Sequence, residues 1–366
     1  MYQKLNGILS RFLFDGDFKS LTAIDEGHIN TTYFADFTKG KYIIQKINTS
    51  VFKNPDELMH NITSVTEHLS STLQKQGEDP SRQTLHFLRT ADGKPYYRDS
   101  ARACWRSYIY LDNCYTVDSL CSKEEIYEAA RAFGKFQYLL RDFPSENLFE
   151  TIKDFHNTPK RLDALRLAVS EDKAGRADGI KDEIQFFFDR KADTEIVVNL
   201  LKNGELPPRV THNDTKINNV LFDSETKKAT CVIDLDTIML GSSLYDFGDG
   251  IRTSAATAQE DEKDTSKMGI DLETYGAYVS GYLDGTKGEL SDKEKELLPF
   301  SVKLLTLECA MRFLTDYLNG DTYFRIKYPE HNLVRARAQI KLVKDIEEKF
   351  EEMKKITSRA IGGDLT

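Results

Sequence analysis

A single segment constrains this chain more than any other, the T-H-N-D-T-K-I-N-N run at Thr211–Asn219. An apolar run, a polar turn and a second apolar run follow it, and the second run ends in V-I-D-L-D at Val232–Asp236. This alternation predicts a β-hairpin with strands over residues 219–223 and 229–235. Because side chains two residues apart on a strand face the same side, Asp234 and Asp236 are expected to point into one site.

The order of the polar residues in this segment indicates phosphoryl transfer. Kinase-type transfer uses an aspartate beside the acceptor hydroxyl, an asparagine five residues later and a second aspartate at the end of the returning strand. We therefore assign Asp214 as the catalytic base, and Asn219 and Asp234 as ligands of Mg2+. Either half of the pattern occurs by chance in unrelated proteins, whereas the order, spacing and intervening hairpin together favour a kinase.

A second aspartate motif, D-F-G at Asp246–Gly248, resembles the metal-binding triplet of protein kinases. It lies one loop further along the chain than the end of the returning strand, where Asp234 already stands. We expect Asp246 to be structural instead, either capping the helix that follows or bracing the catalytic loop.

Composition sets the broad class of the protein. The 366 residues are enough for two lobes with cores of their own. A net charge of -9 argues against a nucleic-acid-binding surface. Five widely spaced cysteines without a C-x-x-C pair suit reduced thiols better than disulfides or a zinc site. With no segment that resembles a signal peptide or a membrane span, we expect a cytoplasmic protein without membrane or nucleic-acid partners, either a monomer or a homodimer.

The periodicity of the chain divides it into two parts. Up to residue 112 it predicts an opening helix, several short strands including a hairpin around Lys39-Gly40, and a helix that starts at Asn54-Pro55. From residue 113 onward helical periodicity prevails, up to a last helix over residues 342–353. The prediction is an α+β, protein-kinase-like bilobal fold, with an antiparallel-sheet N-lobe over residues 1–112 and a mostly helical C-lobe over residues 113–366. The charged stretch 259–264 reads as a solvated loop.

The nucleotide-binding residues are expected in the N-lobe. Gly27 allows the backbone to approach phosphate closely, and Asn30, Thr31 and Thr32 add polar donors. Tyr108 begins the segment between the lobes, where backbone groups would contact adenine.

A lysine that reaches the nucleotide phosphates is expected on the strand over residues 41–47. It falls on Lys46 or is replaced by Gln45, depending on the register, because a slip of one residue reverses the face. Lys46 is the assigned nucleotide-binding residue, and Glu67 is a candidate helical partner for it.

Together these residues resemble the aminoglycoside phosphotransferase and choline kinase superfamily, and most closely the bacterial N-acetylhexosamine 1-kinases. The resemblance rests on blocks spread over nearly the whole chain: Gly27–Tyr33, Arg209–Lys216, Ile233–Met239, Tyr245–Asp249, Glu260–Asp264, Leu297–Ser301, Met311–Leu314 and Lys327–Arg335.

This resemblance implies a specific reaction. ATP and Mg2+ would be used to phosphorylate the anomeric hydroxyl of N-acetylglucosamine or N-acetylgalactosamine, giving the sugar 1-phosphate. Asp214 would lie beside that hydroxyl, while Asp236, Arg312 and Tyr323 would contribute to the sugar pocket. From the residues alone, Arg312 could equally form a surface pair with Asp316 one helical turn away.

Two alternatives remain open at this point. One is a kinase of the same fold that phosphorylates an amino alcohol, an amino acid or an aminoglycoside hydroxyl. The other is a nucleotide-binding regulator without catalytic activity, which the uncertain N-lobe lysine would favour and the intact Asp214, Asn219 and Asp234 disfavour.

Overall fold

The computed structural model describes residues 7–24, 29–117 and 122–362. It confirms the predicted α+β fold, with antiparallel sheet in the N-terminal region and helices in the C-terminal part. The chain divides into two compact units. The first comprises residues 1–116, 142–153 and 220–240, and the second comprises 117–141, 154–219 and 241–366. The predicted lobe boundary after residue 112 stays a prediction.

The first unit is built on a five-stranded antiparallel sheet in the order β1-β2-β3-β5-β4. A second, three-stranded sheet in the order β6-β8-β9 contains the hairpin that follows the catalytic segment. The strands are β1 (Phe18–Ile24), β2 (Thr31–Phe37), β3 (Lys41–Ile47), β4 (Tyr97–Arg98), β5 (Cys104–Ile109), β6 (Cys114–Tyr115), β8 (Val220–Asp223) and β9 (Ala229–Val232).

The hairpin predicted around Lys39-Gly40 is confirmed, since β2 and β3 pair in register from Asp36↔Lys41 to Thr31↔Lys46. One face of the sheet forms the core of this unit. The buried members of that core are Ile8, Phe12, Tyr33, Ala35, Phe37, Tyr42, Ile44 and Trp105. The opposite face carries Thr32, Gln45 and Arg106, which the register places side by side on three strands.

A long helix of the first unit, α1 (Pro55–Lys75), begins where the sequence predicts. Asn54 accepts a hydrogen bond from the backbone N–H of Asp56, and Pro55 occupies the first turn, where its missing N–H costs nothing. Leu58, Ile62 and the other apolar positions of its inner face are buried. The side chain of Asn61 donates to the carbonyl oxygens of Phe149 and Ile238 and so ties the helix to the later segments of the unit.

The second unit is mostly helical. Its helices are α2 (Lys123–Leu139), α3 (Thr158–Glu171), α4 (Lys181–Phe188), α5 (Lys191–Lys202), α6 (Ser243–Ser254), α7 (Leu272–Thr286), α8 (Asp292–Leu318), α9 (His331–Glu348) and α10 (Phe350–Ile361). Two short strands are also present, β7 (Arg209–Thr211) and β10 (Met239–Gly241), the latter where the chain passes from the first unit to the second. Within the described residues, none of the helices is both long and apolar enough to cross a bilayer.

Helices α2 and α7 pack with their backbones in direct contact at glycines. A Cβ atom on Gly281 would lie 2.2 Å from the carbonyl oxygen of Tyr127, and one on Gly134 would lie 2.3 Å from that of Tyr282. Real Cβ atoms do not approach so closely, so only glycine permits this separation.

The structure corrects three details of the sequence analysis. The returning strand ends at Val232 rather than Leu235, because Asp234 takes a left-handed conformation that no strand accommodates. The last predicted helix is two helices, α9 and α10, which meet at Lys349. The stretch 259–264 is not merely solvated, since Glu260 pairs with Arg252 and Asp261 pairs with Lys327.

Candidate active site

The predicted catalytic base, Asp214, is held by two neighbours in the second unit. Lys216 Nζ lies 2.9 Å from Asp214 Oδ1, and the amide nitrogen of Asn219 donates to Asp214 Oδ2 at 3.2 Å and to its backbone oxygen at 2.8 Å. The negative charge of Asp214 raises the pKa of Lys216, so the lysine is fully protonated. The pattern D-x-K contained this lysine, but sequence reasoning assigned it no role.

Asp246 supports the loop that carries Asp214 through hydrogen bonds to the backbone of that loop. Its carboxylate accepts the backbone N–H groups of His212 at 2.9 Å and Asn213 at 2.7 Å, and the side chain of Gln137 at 2.8 Å. Asp246 is 1 % exposed, and this burial raises its pKa. The structural role predicted for Asp246 is confirmed, and of the two alternatives it is the bracing of the loop.

A second buried carboxylate, Asp249, supports the same loop one helical turn further on. It accepts the backbone N–H of Thr215 at 3.1 Å and forms an ion pair with Arg252 at 2.9 Å. Burial alone would raise the pKa of Asp249, but the charges of Arg252 and Lys216 hold it below its usual value. The catalytic loop is therefore supported by two buried carboxyl side chains of α6, which accept its backbone N–H groups and fix its conformation.

The first unit contains the predicted metal ligand Asp234, together with Asp236. Asp234 has φ 58° and ψ 59°, and residues 235–237 form a single 3-10 turn. Asp236 is 3 % exposed, and both of its oxygens are occupied. One accepts a hydrogen bond from the guanidinium of Arg106, and the other accepts the side-chain amide of Asn30 at 2.6 Å.

Two of the predicted phosphate-binding residues, Asn30 and Thr32, belong to the network around this carboxylate, whereas Thr31 lies on the opposite face of β2. Asn30 links Asp236 to the end of β3, because its oxygen accepts the backbone N–H of Asn48 at 2.9 Å. Thr32 accepts a hydrogen bond from Gln45 at 3.2 Å, and Thr31 begins β2. Gly27 lies outside the described residues.

The register of β3 decides which side chain faces this group. Gln45 lies beside Thr32 and Arg106, whereas Lys46 is exposed on the side of the sheet that holds Trp105. The nucleotide-binding role of Lys46 stays a prediction. Glu67, the candidate partner of that lysine, is 67 % exposed and pairs with Arg89, so it does not serve a β3 lysine in this structure.

Tyr108 follows Arg106 on the same face of β5. Its ring lies 5.1 Å from that of Phe87, and burial raises the pKa of its hydroxyl, which the nearby Asp234 and Asp236 raise further. Tyr108 is therefore a neutral hydroxyl close to the two carboxylates. Its predicted contact with the nucleotide stays a prediction.

The predicted sugar-pocket residues Arg312 and Tyr323 are neighbours in the second unit. The guanidinium carbon of Arg312 lies 5.3 Å from the ring centre of Phe155, 5.5 Å from that of Phe324 and 5.9 Å from that of Tyr323. Tyr323 is 64 % exposed. These distances are in the range of cation–π attraction, so the aromatic rings hold the cation in place.

The alternative surface pair between Arg312 and Asp316 is not formed. Asp316 is buried and accepts the backbone N–H groups of Thr322, Tyr323 and Phe324 at 2.8–2.9 Å. Its charge therefore fixes the loop that presents Tyr323.

Two further residues border Arg312 that sequence reasoning missed. Arg161 donates to the carbonyl oxygen of Phe155 at 2.8 Å, and burial lowers its pKa, which the nearby Arg312 lowers further. His156 pairs with the buried Glu308 at 2.8 Å. Neither residue belongs to a motif, and only the fold brings α3 and its preceding loop next to α8.

Oxygen donors suited to Mg2+ are present in each unit. Mg2+ prefers carboxylate and amide oxygens and takes several of its ligands from water and from substrate phosphates. Asp234 in the first unit and the side-chain oxygen of Asn219 in the second are donors of this kind. Across the described stretches, no three His, Cys, Asp or Glu side chains are grouped as an all-protein metal cage.

Comparison with known proteins adds to this geometry. A sequence profile of the Phosphotransferase enzyme family matches residues 20–278. An aminoglycoside phosphotransferase from Alicyclobacillus acidocaldarius has a similar structure, with a TM-score of 0.65 and 12 % identity over 97 % of this chain and 96 % of that chain. A microcompartment-associated aminopropanol kinase has a TM-score of 0.58 and 15 % identity, with 97 % and 99 % covered.

A third similar structure is a spectinomycin phosphotransferase in complex with ADP and spectinomycin, with a TM-score of 0.52 and 13 % identity over 98 % of both chains. At these identities the likeness shows the fold. The profile match includes the catalytic loop and both aspartates of the D-L-D segment but ends before Arg312 and Tyr323.

Proposed function

The chain belongs to the Phosphotransferase enzyme family, and we propose that it phosphorylates the anomeric hydroxyl of N-acetylglucosamine or N-acetylgalactosamine, using ATP and Mg2+. The general part of this function, a small-molecule phosphotransferase with an alcohol acceptor, follows from the family. The choice of acceptor is supported by the residues around Arg312.

The observation that supports phosphoryl transfer is the setting of Asp214. Its carboxylate is oriented by Asn219 and Lys216, on a loop whose backbone is fixed by Asp246 and Asp249. A carboxylate held in this way can orient an acceptor hydroxyl and accept its proton at Oδ1 or Oδ2. The protonated Lys216 adds a fixed positive charge next to it, which suits the negative charge of a transferring phosphoryl group.

Mg2+ would add positive charge that the protein itself does not supply. When bound, Mg2+ would neutralise the negative charge of the nucleotide phosphates. Asp234 and Asn219 are the residues that would hold it. For the nucleotide, Asn30, Thr31 and Thr32 offer hydrogen-bond donors. Tyr108 lies close to the carboxylates of Asp234 and Asp236. The spectinomycin phosphotransferase with bound ADP supports the choice of an adenine nucleotide.

The observation that favours a sugar is the pair of guanidinium groups, Arg161 and Arg312, next to the exposed ring of Tyr323. Two adjacent positive charges repel an ammonium group, which choline-like and aminoglycoside acceptors carry. Guanidinium donors instead match hydroxyl and amide oxygens, and an aromatic face matches the apolar side of a pyranose ring. An N-acetylated hexose offers both.

A second candidate is a kinase of an amino alcohol, an amino acid or an aminoglycoside hydroxyl. The names of similar structures, an aminopropanol kinase and two aminoglycoside phosphotransferases, favour it. The two candidates share Asp214 and the nucleotide site and differ only in the acceptor.

The test is a 31P NMR measurement on reactions with Mg-ATP and one acceptor each, with N-acetylglucosamine, N-acetylgalactosamine, aminopropanol, choline and spectinomycin as the panel. A new phosphate signal split by the anomeric proton of the sugar supports the proposal. The Asp214→Asn variant serves as the control for background hydrolysis. Phosphorylation of aminopropanol, choline or spectinomycin, but of neither sugar, would overturn the sugar assignment and leave the second candidate.

A further inference from the structure

The face of the sheet that carries Thr32 has no lysine at the position where a kinase strand β3 would present one. Three side chains in adjacent register positions form a row across it, Thr32 on β2, Gln45 on β3 and Arg106 on β5. Gln45 donates to Thr32 at 3.2 Å and accepts two hydrogen bonds from Arg106, from Nε at 2.9 Å and from Nη2 at 2.8 Å. The cation of this row is therefore an arginine on the neighbouring strand.

The remaining guanidinium nitrogen of Arg106, Nη1, forms an ion pair with Asp236, and this ion pair is buried. The side chains are 3 % and 4 % exposed. Burial alone would lower the pKa of Arg106, but the charge of Asp236 and the hydrogen bond to it raise the pKa above its usual value. Removal of one partner would therefore leave the other buried without its counter-ion.

The pair acts on the segment that contains Asp234. Asp234 lies two residues before Asp236 and has a positive φ, a conformation that costs energy for any residue with a Cβ. Such a conformation persists only where its surroundings fix it. Asp236 supplies the fixation, because Arg106 holds one of its oxygens and Asn30 holds the other.

We propose that Arg106 is the positioning residue for the metal ligand Asp234, through its ion pair with Asp236. This inference rests on the proposed function, in which Asp234 binds Mg2+. Arg106 pairs with Asp236 and keeps its carboxylate from the metal, so that of these two aspartates only Asp234 would bind the cation. Through Gln45 and Asn30 the same network fixes β3 and Asn30 itself, one of the predicted phosphate-binding residues.

The experiment measures binding rather than turnover. Titration calorimetry gives the affinity for ATP with Mg2+ and for ATP with a chelator, on wild type, Arg106→Met, Arg106→Lys and the double variant Arg106→Met/Asp236→Leu. Arg89→Met is the matched control, because Arg89 lies in the same unit and pairs with the exposed Glu67. Thermal unfolding of each variant gives its stability.

In Arg106→Met we expect the affinity for Mg-ATP to fall by about 10- to 100-fold, as when a partner of a metal ligand is removed. The affinity for ATP without metal should change by less than about 3-fold by the same reasoning, because Arg106 acts on the metal ligand. The double variant should regain stability, since an apolar pair can replace a buried ion pair, but not the affinity for Mg-ATP. Arg106→Lys should recover part of that affinity, and Arg89→Met should resemble wild type.

A double variant with wild-type affinity for Mg-ATP would show that the ion pair is only structural and overturn the inference. If Arg106→Met lowered the affinity for ATP to the same extent with Mg2+ and with the chelator, the inference would also be overturned. Should Arg106→Met not fold, Arg106→Lys and the double variant decide the question.

Hydrogen–deuterium exchange of residues 233–237 separates this inference from the proposed function. If Arg106 positions Asp234, exchange in this segment becomes faster in the Arg106 variants, even for a protein that phosphorylates no acceptor in the panel. Unchanged exchange in the variants would refute the positioning role, whichever acceptor the enzyme uses.

Discussion

The carboxylate of Asp246 lies 2.7 Å from the backbone nitrogen of Asn213, the residue immediately before the candidate catalytic base. Asp246 thereby supports the loop, because its two oxygens accept three hydrogen bonds from the loop and from Gln137. In protein kinases the aspartate of the same triplet binds metal.

We predict that Asp246→Asn lowers the free energy of unfolding by about 2 to 4 kcal/mol, because an amide group would set a donor against the N–H donors of the loop. It should lower kcat and leave the KM for ATP unchanged. Gln137→Met, which removes one of the three bonds, should cost less. Urea unfolding and steady-state kinetics measure both, and an Asp246→Asn enzyme with wild-type stability would contradict the bracing role.

Asp214→Asn should keep the fold and the affinity for ATP but lose roughly a hundred- to ten-thousand-fold in kcat, the usual contribution of a general base. The comparison is Asp178→Asn in the same unit, whose carboxylate is 97 % exposed and pairs only with Lys181. Calorimetry of ATP binding and initial-rate kinetics are the measurements. Turnover near that of wild type would remove Asp214 from its assigned role.

Arg312→Met and Arg161→Met should each raise the KM for the sugar by about 10-fold or more, since a hydrogen bond from a charged donor contributes about 1.5 to 3 kcal/mol. The KM for ATP should stay within error. Arg166→Met provides the comparison, because Arg166 lies on the same helix as Arg161 and forms an exposed pair with Asp163. Equal losses for the sugar and for ATP would indicate a general structural defect instead of acceptor binding.

The ion pair of Arg209 with Glu294 should make stability depend on pH. Glu294 is fully buried; burial alone would raise its pKa, but Arg209 and Ser243 hold it below the usual value. A carboxylate with a lowered pKa stabilises the fold above its unfolded pKa of about 4.3, and this contribution disappears as pH falls through the lower folded value.

Glu294→Gln should therefore be less stable than wild type at neutral pH, and the difference should shrink as the medium becomes more acidic than about pH 4. Glu296→Gln, whose side chain is 65 % exposed on the same helix, should show no such convergence. Urea unfolding over a series of pH values measures the effect. A difference that grows towards acidic pH would have the wrong sign for this mechanism.

Gly281→Ala should destabilise the second unit by about 1 to 3 kcal/mol, because the new methyl group meets the backbone of α2 and forces the helices apart. Gly276→Ala on the same helix is the control. Its Cβ would lie 3.4 Å from a methyl group of Ile356, an ordinary contact, and alanine favours a helix by about 0.5 to 1 kcal/mol over glycine. Opposite shifts of the two melting temperatures are expected, and a stable Gly281→Ala protein would contradict the close approach.

The sequence predicted local features of the fold and of the site well. The start of α1 at Asn54-Pro55, the β2–β3 hairpin and the bracing role of Asp246 depend on residues close in sequence or on the order of motifs. The end of the returning strand was wrong because Asp234 takes a left-handed conformation, in a segment whose contacts, such as that of Asp236 with Asn30, join it to residues distant in the sequence.

The residues that sequence reasoning missed share a physical cause. Arg106 and Asp236 are 130 positions apart, and nothing near Arg106 in the sequence marks it as more than an ordinary strand residue. Arg161 lies on a helix of ordinary composition, and only packing against α8 brings it next to Arg312. Neither pair has a periodicity or a spacing that could predict it.

The first unit is assembled from three separate segments of chain, the last of which is residues 220–240. During synthesis on the ribosome, Arg106 is therefore made well before Asp236. At about 5–20 residues per second, the 130 positions between them correspond to a delay on the order of ten seconds. Until then the charge of Arg106 has no buried counterion, so the sheet cannot close around it. A fragment that ends at residue 116 lacks the same partner, and the first unit is thus completed only after residues 117–141 and 154–219 of the second have been made.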